Sequence, residues 1–428
     1  MKGADIWAIP DLRRRLTVVI ICFAIFAFGI HVPLPGINRE YLKTISSSGV
    51  FGLFNMFSGG ALERFSIFSL GVIPYINASI MMQLLTFSIE PLKEMVKERG
   101  EEGRRVLARW TRYIAVFLAF FEGIGLIKAI ESGGGPQSGS LFVQSGWFPY
   151  FVVLISITAG TCYLMWLGEQ ISNKGIGEGI SLVIFAGILI SLPQRIGQEL
   201  GIVSKDPSKI AFLVLYVAAL FAMLLFIVYV EMAERRIPVR YARKQVGGRM
   251  MVASMTSYLP MKVNIGGVIP IIFAITFLMI PQLLAGFFAN AFPGFVQWAA
   301  TFNEGWGYLL ALMLLTLLSN HFYSAVIYKP DEIADNLKNM GGFIPGVRPG
   351  DQTTEYISRI QEKVTWMGGI YLALLGTAPF ILAQLFFGTS NRILFTGTGL
   401  LIVVGVGLDF VRQLEAHVVS RHYEGFIK

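Results

Sequence analysis

Apolar residues run through this chain in blocks of bilayer length, separated by polar and charged stretches. A helix crossing about 30 Å of hydrocarbon needs roughly 20 mostly apolar residues. Ten blocks approach that length: 16–31, 72–89, 113–130, 147–167, 180–192, 210–230, 265–288, 307–328, 364–387 and 393–411. The fifth is short for a span and is expected to be little tilted or lined by protein. The stretch from Phe51 to Leu85 breaks the rhythm. It is apolar enough for a membrane, yet Gly59, Gly60, Gly71 and Pro74 interrupt it, and Glu63 and Arg64 stand inside it. It reads as a short helix, a break, and a second helix starting near Pro74. Broken backbone at membrane depth survives only where protein or a water-filled cavity surrounds it. This segment is therefore expected to line or block a path through the membrane.

The polar stretches set the orientation. With the N-terminus in the cytoplasm, 27 of the 35 Lys and Arg lie on the cytoplasmic side and 8 lie opposite. That asymmetry puts both chain ends inside. Ten spans divide as five plus five, and an odd repeat turns the second half upside down relative to the first. Gly71-Val72-Ile73-Pro74 and Gly267-Val268-Ile269-Pro270 each open the second span of a half. A shared tetrapeptide is common by chance in so apolar a chain; its position gives it weight. The halves are expected at 1–200 and 201–428. Two cytoplasmic segments, 231–264 and 329–363, are far longer than connection requires. They carry ERRIPVRYARKQVGGRM and the turn-rich PGVRPG. Topology alone explains their positive sign but not their length, which favours a docking surface for an acidic or nucleic-acid-containing partner.

Composition removes whole classes of function. With 54% hydrophobic and 14% charged residues over 428 positions and a mean hydropathy of +0.62, the chain is an integral membrane protein. Its 34 Phe and 46 Gly suit lipid-facing aromatics and close helix packing. Cys22 and Cys162 lie inside apolar runs and read as packing residues, not a disulfide framework. Arg13, Arg14 and Arg15 lead directly into the first apolar block, so no cleavable leader is expected and the first helix stays. No phosphate loop, zinc pair or C-x-x-C occurs, and His31, His321, His417 and His422 are far apart in sequence. No catalytic or metal-binding residues and no cofactor are expected. Gly405-Val406-Gly407-Leu408-Asp409 has the wrong spacing for an intramembrane aspartyl protease and no partner carboxylate at mid-helix. Asp409 is better read as an ion pair with Arg412. Glu122, inside the third span, is either an inter-helix polar contact or part of a wet pathway. The broken segment offers mostly aliphatic and aromatic side chains, which gate rather than bind. A gated passage is favoured over the alternative, an ion-coupled secondary transporter of small solutes.

Five runs resemble the SecY family, the channel subunits of the bacterial Sec protein translocon. They are FNMFSGGAL (54–62), GVIPYINASIMMQLL (71–85), LPMKVNIGGVIP (259–270), ADNLKNMGGFIPGVRPG (334–350) and LLIVVGVGLDFVRQLEAH (400–417). The likeness covers essentially the whole chain in order. It implies an all-α integral membrane fold of ten transmembrane helices in two inverted halves, with a short re-entrant plug helix. It also implies a passive channel in the bacterial cytoplasmic membrane that passes unfolded polypeptide and releases transmembrane segments sideways, between spans two and three on one side and seven and eight on the other.

Further expectations follow from the resemblance, residue by residue. The pore ring falls on Ile76, Ile80, Ile180, Ile184, Ile272 and Ile402, and the plug on Phe57, Ser58, Gly59, Gly60, Ala61, Leu62, Glu63, Arg64 and Phe65. Ile76 with Ile80, and Ile180 with Ile184, are four apart and share a helix face. On its own such a pair reads as packing. The implied partners are the small membrane subunits SecE and SecG, the ATPase SecA, the ribosome, signal peptides with their secretory or membrane-protein substrates, and the lipid bilayer. Arg235, Arg236, Arg243, Lys244 and Arg348 are the expected docking residues. Polar contacts between gate helices in relatives do not map cleanly here, Glu122 being the one obvious candidate.

Overall fold

The computed structural model describes residues 10–38, 55, 58–133, 141–142, 146–203, 210–241, 256–287, 292–302, 306–387 and 397–424. Its ten long helices are α1 (Pro10–Ile30), α2 (Ile73–Ser88), α4 (Glu101–Gly133), α5 (Trp147–Lys174), α6 (Gly179–Val203), α7 (Ile210–Met232), α8 (Ile269–Phe287), α10 (Trp306–Ile327), α12 (Asp351–Phe387) and α13 (Gly397–Glu424). Three short helices join them: α3 (Glu90–Arg99), α9 (Pro293–Phe302) and α11 (Pro330–Asn339). Proline stands in the first turn of α2, α3 and α11, where its missing N–H costs nothing and its fixed φ suits helix entry.

Among the described residues, seven of the ten long helices are long and apolar enough to cross a membrane by length and composition. Two of the other three have visible reasons to fall short. α1 carries Arg13, Arg14 and Arg15 near its start. α2 has 16 residues, about 24 Å at 1.5 Å each, so it does not reach across alone. α8 is apolar along the whole of Ile269–Phe287. The fifth span is longer than its apolar run suggested. α6 continues through Pro193 to Val203, giving up the hydrogen bond that proline cannot donate.

The shared tetrapeptide folds the same way twice. Gly71 and Gly267 adopt φ of 59° and 60°, a left-handed turn that a side chain resists. In both copies the helix then starts at the isoleucine, Ile73 or Ile269. The expected plug helix differs in form. Asn55 is helical, but Ser58–Phe65 runs as turns. Gly59 (φ 73°), Gly60 (φ 86°) and Phe65 (φ 44°) are left-handed, which a right-handed helix does not accommodate. Phe57 lies outside the described residues.

The cytoplasmic side adds a small sheet to the all-helical expectation. β1 (Glu234–Tyr241), β2 (Thr256–Lys262) and β3 (Gly342–Phe343) pair antiparallel in the order β2-β1-β3. The sheet joins the two long cytoplasmic loops into one body over a core of Ile237, Val239, Met261, Leu337, Ile344 and Ile357. Two larger clusters fill the membrane body. One gathers side chains of α4, α5, α7, α8, α10, α12 and α13. The other gathers α1, α5, α6 and Ile402 around the chain that leads into α2.

Candidate functional site

Five of the six expected ring residues meet in the second cluster. Ile184 (α6) and Ile402 (α13) are buried in it, and Ile76 (α2), Ile180 (α6) and Ile272 (α8) pack against it half-buried. Ile80 is buried, at 5% exposure, but is not part of that cluster. Four helices from both halves thus bring branched aliphatic side chains to one place. Such groups cannot hydrogen-bond a passing chain, and a narrow space lined by them empties of water, which resists ions. Ala61 and Phe68 of the broken segment are buried in the same cluster, while Leu62 and Phe65 join the first. The segment is therefore wedged between the two.

Its seat is specific. Ser58, Gly59, Gly60, Ala61, Leu62 and Phe65 are buried, Glu63 is half-buried and Arg64 is exposed. The Leu34 N–H donates to the Phe65 carbonyl (3.0 Å) and the Ile67 N–H to the Val32 carbonyl (3.2 Å), tying the rear of the segment to the chain after α1. On another side α5 comes so close that a Cβ on Gly160 would overlap the Ile67 carbonyl. At the outer end of α6, Gln194 Nε2 donates to Glu63 Oε2 (2.9 Å).

A line of polar contacts crosses from one half to the other. Asn77 Nδ2 on α2 donates to Glu122 Oε1 on α4 (2.8 Å), and Thr276 Oγ1 on α8 donates to Asn77 Oδ1 (3.1 Å). Among the described residues Glu122 Oε2 is buried without a partner. Nearer the cytoplasm, Tyr323 Oη on α10 donates to Gln83 Oε1 on α2 (2.9 Å), and the Phe87 and Phe322 rings meet edge to face at 6.0 Å. Of these, Glu122 alone stands out in the sequence. Asn77, Thr276 and Gln83 were visible as polar side chains inside apolar spans, but nothing in the sequence paired them. The Asp409–Arg412 pair is present at 3.9 Å, with both side chains well exposed.

On the cytoplasmic sheet, strand alternation puts Arg236 and Arg240 on one face of β1. Arg235 shares the opposite face with Ile237 and Val239 but lies beyond their core and is exposed. The two expected docking arginines therefore do not point the same way. Arg348 is exposed in the turn after β3, its carbonyl accepting from Thr353 Oγ1 (2.9 Å). Arg243 and Lys244 lie outside the described residues.

Comparison with known proteins agrees with this architecture. The SecY family model matches residues 66–411. The protein translocase subunit SecY of Streptomyces galbus is 39% identical over 434 residues, covering 98% of each chain. That of Bacillus subtilis is 39% identical over 428 residues, covering 98% of this chain and 97% of its own. A solved protein-conducting channel superposes with a TM-score of 0.67 at 18% identity, over 95% of this chain and 93% of its own. A likeness at that identity concerns the fold.

Proposed function

The chain belongs to the SecY family, and on that premise we propose how its parts conduct polypeptide. It is the channel subunit of a protein translocase, a multi-pass protein of the bacterial cytoplasmic membrane with both ends in the cytoplasm. Unfolded chains cross between its two halves, 1–200 and 201–428. Transmembrane segments leave sideways between α2 and α4 on one side and α8 and α10 on the other. SecE and SecG are its small membrane partners, and SecA or the ribosome supplies the driving energy.

Ile76, Ile80, Ile180, Ile184, Ile272 and Ile402 form the constriction, and 57–65 is the plug that closes it from outside. The single observation that carries this is the common cluster of five of these isoleucines with Ala61 and Phe68. An aliphatic collar seals when empty and lets a chain slide when full. The Asn77–Glu122–Thr276 contacts hold the lateral gate shut, because an opening gate must part α8 from α2. Arg235, Arg236, Arg243, Lys244 and Arg348 serve as docking positions. The sheet that unites the two loops supports a common platform, though Arg235 and Arg236 meet a partner from different sides.

The test is conductance in a planar bilayer. Replacing Ile76, Ile184 and Ile402 together by Ser is expected to raise ion leak through the resting channel while translocation of a secretory precursor continues. Unchanged conductance would remove the ring from these positions. Saturable, ion-coupled uptake of a small solute by the purified chain would replace the channel reading with a transporter.

A further inference from the structure

We propose that Gln194 positions the plug in the resting channel by clasping Glu63, and so sets how tightly the empty channel is sealed. This rests on the plug reading above and deepens it. Most of the plug's seat is apolar or made of backbone: Ala61 and Phe68 in one cluster, Leu62 and Phe65 in the other, and Gly59 against Gly187 of α6. Apolar contact is non-directional and by itself fixes no register. The clasp is directional at both ends of one amide. Gln194 Nε2 donates to Glu63 Oε2 (2.9 Å), and Gln194 Oε1 accepts from Arg64 Nη2 (3.3 Å).

Adjacent residues of opposite charge thus meet a side chain that offers one donor end and one acceptor end. Lys or Glu at 194 would satisfy only one of them. The Glu63 side is also held within the plug. Asn55 Nδ2 donates to the same carboxylate oxygen (3.2 Å), and Asn55 Oδ1 accepts from the Glu63 N–H (2.9 Å). The carboxylate is therefore pre-oriented before it meets α6. The clasp joins the plug to a helix whose Ile180 and Ile184 belong to the proposed ring, so plug and ring are registered through one element.

The experiment measures resting ion conductance of the purified complex in planar bilayers, with translocation of a precursor bearing a strong signal sequence as the check on assembly. Gln194→Leu is expected to raise resting conductance roughly two- to tenfold, the population shift that losing one ordinary hydrogen bond allows, with translocation unchanged. Gln194→Glu, which sets two carboxylates face to face, should leak more. Combining it with Glu63→Gln exchanges donor and acceptor across the same contact and should bring conductance back toward the parent value. A structural role for Gln194 predicts no such rescue. Deleting 58–65 in the same assay separates the two ideas. If that deletion leaks and the Gln194 variants stay sealed, or leak without rescue by the swap, the clasp is wrong and the plug stands. If the deletion does not leak, the plug reading falls and the clasp with it.

Discussion

Helix α10 has two seams, and neighbouring residues on it serve opposite ones. Ser324 faces α12 in the same half: its hydroxyl lies 2.6 Å from Thr365 Oγ1, and its carbonyl accepts from Gln361 Nε2 (3.0 Å). Gln361 Nε2 also donates to the Tyr328 carbonyl (3.2 Å), and Asn320 Nδ2 to the Thr365 carbonyl (2.8 Å). Ser324, Thr365, Gln361 and Asn320 are all buried. Tyr323, one residue earlier, faces the other half through a single hydrogen bond to Gln83, which is exposed. A buried network is expensive to break because each released group stays away from water. A lone bond to an exposed amide costs little, since water replaces the partner. The first seam is built to stay and the second to part.

Disturbing the permanent seam should have the larger effect. Gln361→Leu takes the donor from the buried Ser324 carbonyl and the half-buried Tyr328 carbonyl and is expected to lower the stability of the second half by about 1–3 kcal/mol. Thermal unfolding of the complex in detergent would register that loss, with little change in the kinds of signal sequence accepted. Thr276→Val keeps shape but removes the bond from α8 to Asn77. Polar contacts between membrane helices are worth about 0.6–1 kcal/mol, so gate opening should rise about three- to fivefold with stability nearly unchanged. The measurable result is export of precursors whose signal sequences are too weakly apolar for the parent channel. A reversal, with Thr276→Val unfolding the protein and Gln361→Leu loosening selection, would invert the assignment of the two seams.

Hydropathy was enough to expose the ten spans, and the charge count their direction, because lipid enforces both. The sheet was hidden. β1 reads ERRIPVRY, rich in charge and carrying Pro238, which argues against a central strand. Pro238 is tolerated because β3 pairs only with Arg240 and Tyr241, which leaves that edge open beside the proline. The turns of the proposed plug hinge on left-handed φ at Gly59, Gly60 and Phe65, and a Phe there carries no sequence signal. The proposed ring was beyond periodicity, since an Ile pair four apart in a membrane helix means packing as readily as a pore. Likeness to the family suggested it. The contacts proposed to hold the gate join residues up to 240 positions apart, Gln83 with Tyr323, and no local pattern links them.

The central claim, that the molecule opens between its halves and not within one, is tested most directly by crosslinking each seam of α10. In a chain lacking Cys22 and Cys162, cysteines at Gln83 and Tyr323 bridge the halves, and cysteines at Ser324 and Thr365 bridge helices of one half. A short bismaleimide across the first pair is expected to abolish lateral release of a transmembrane segment, while the same reagent across the second leaves release at the uncrosslinked rate. Undiminished release through a channel closed at 83 and 323, or equal inhibition by both crosslinks, would contradict the account.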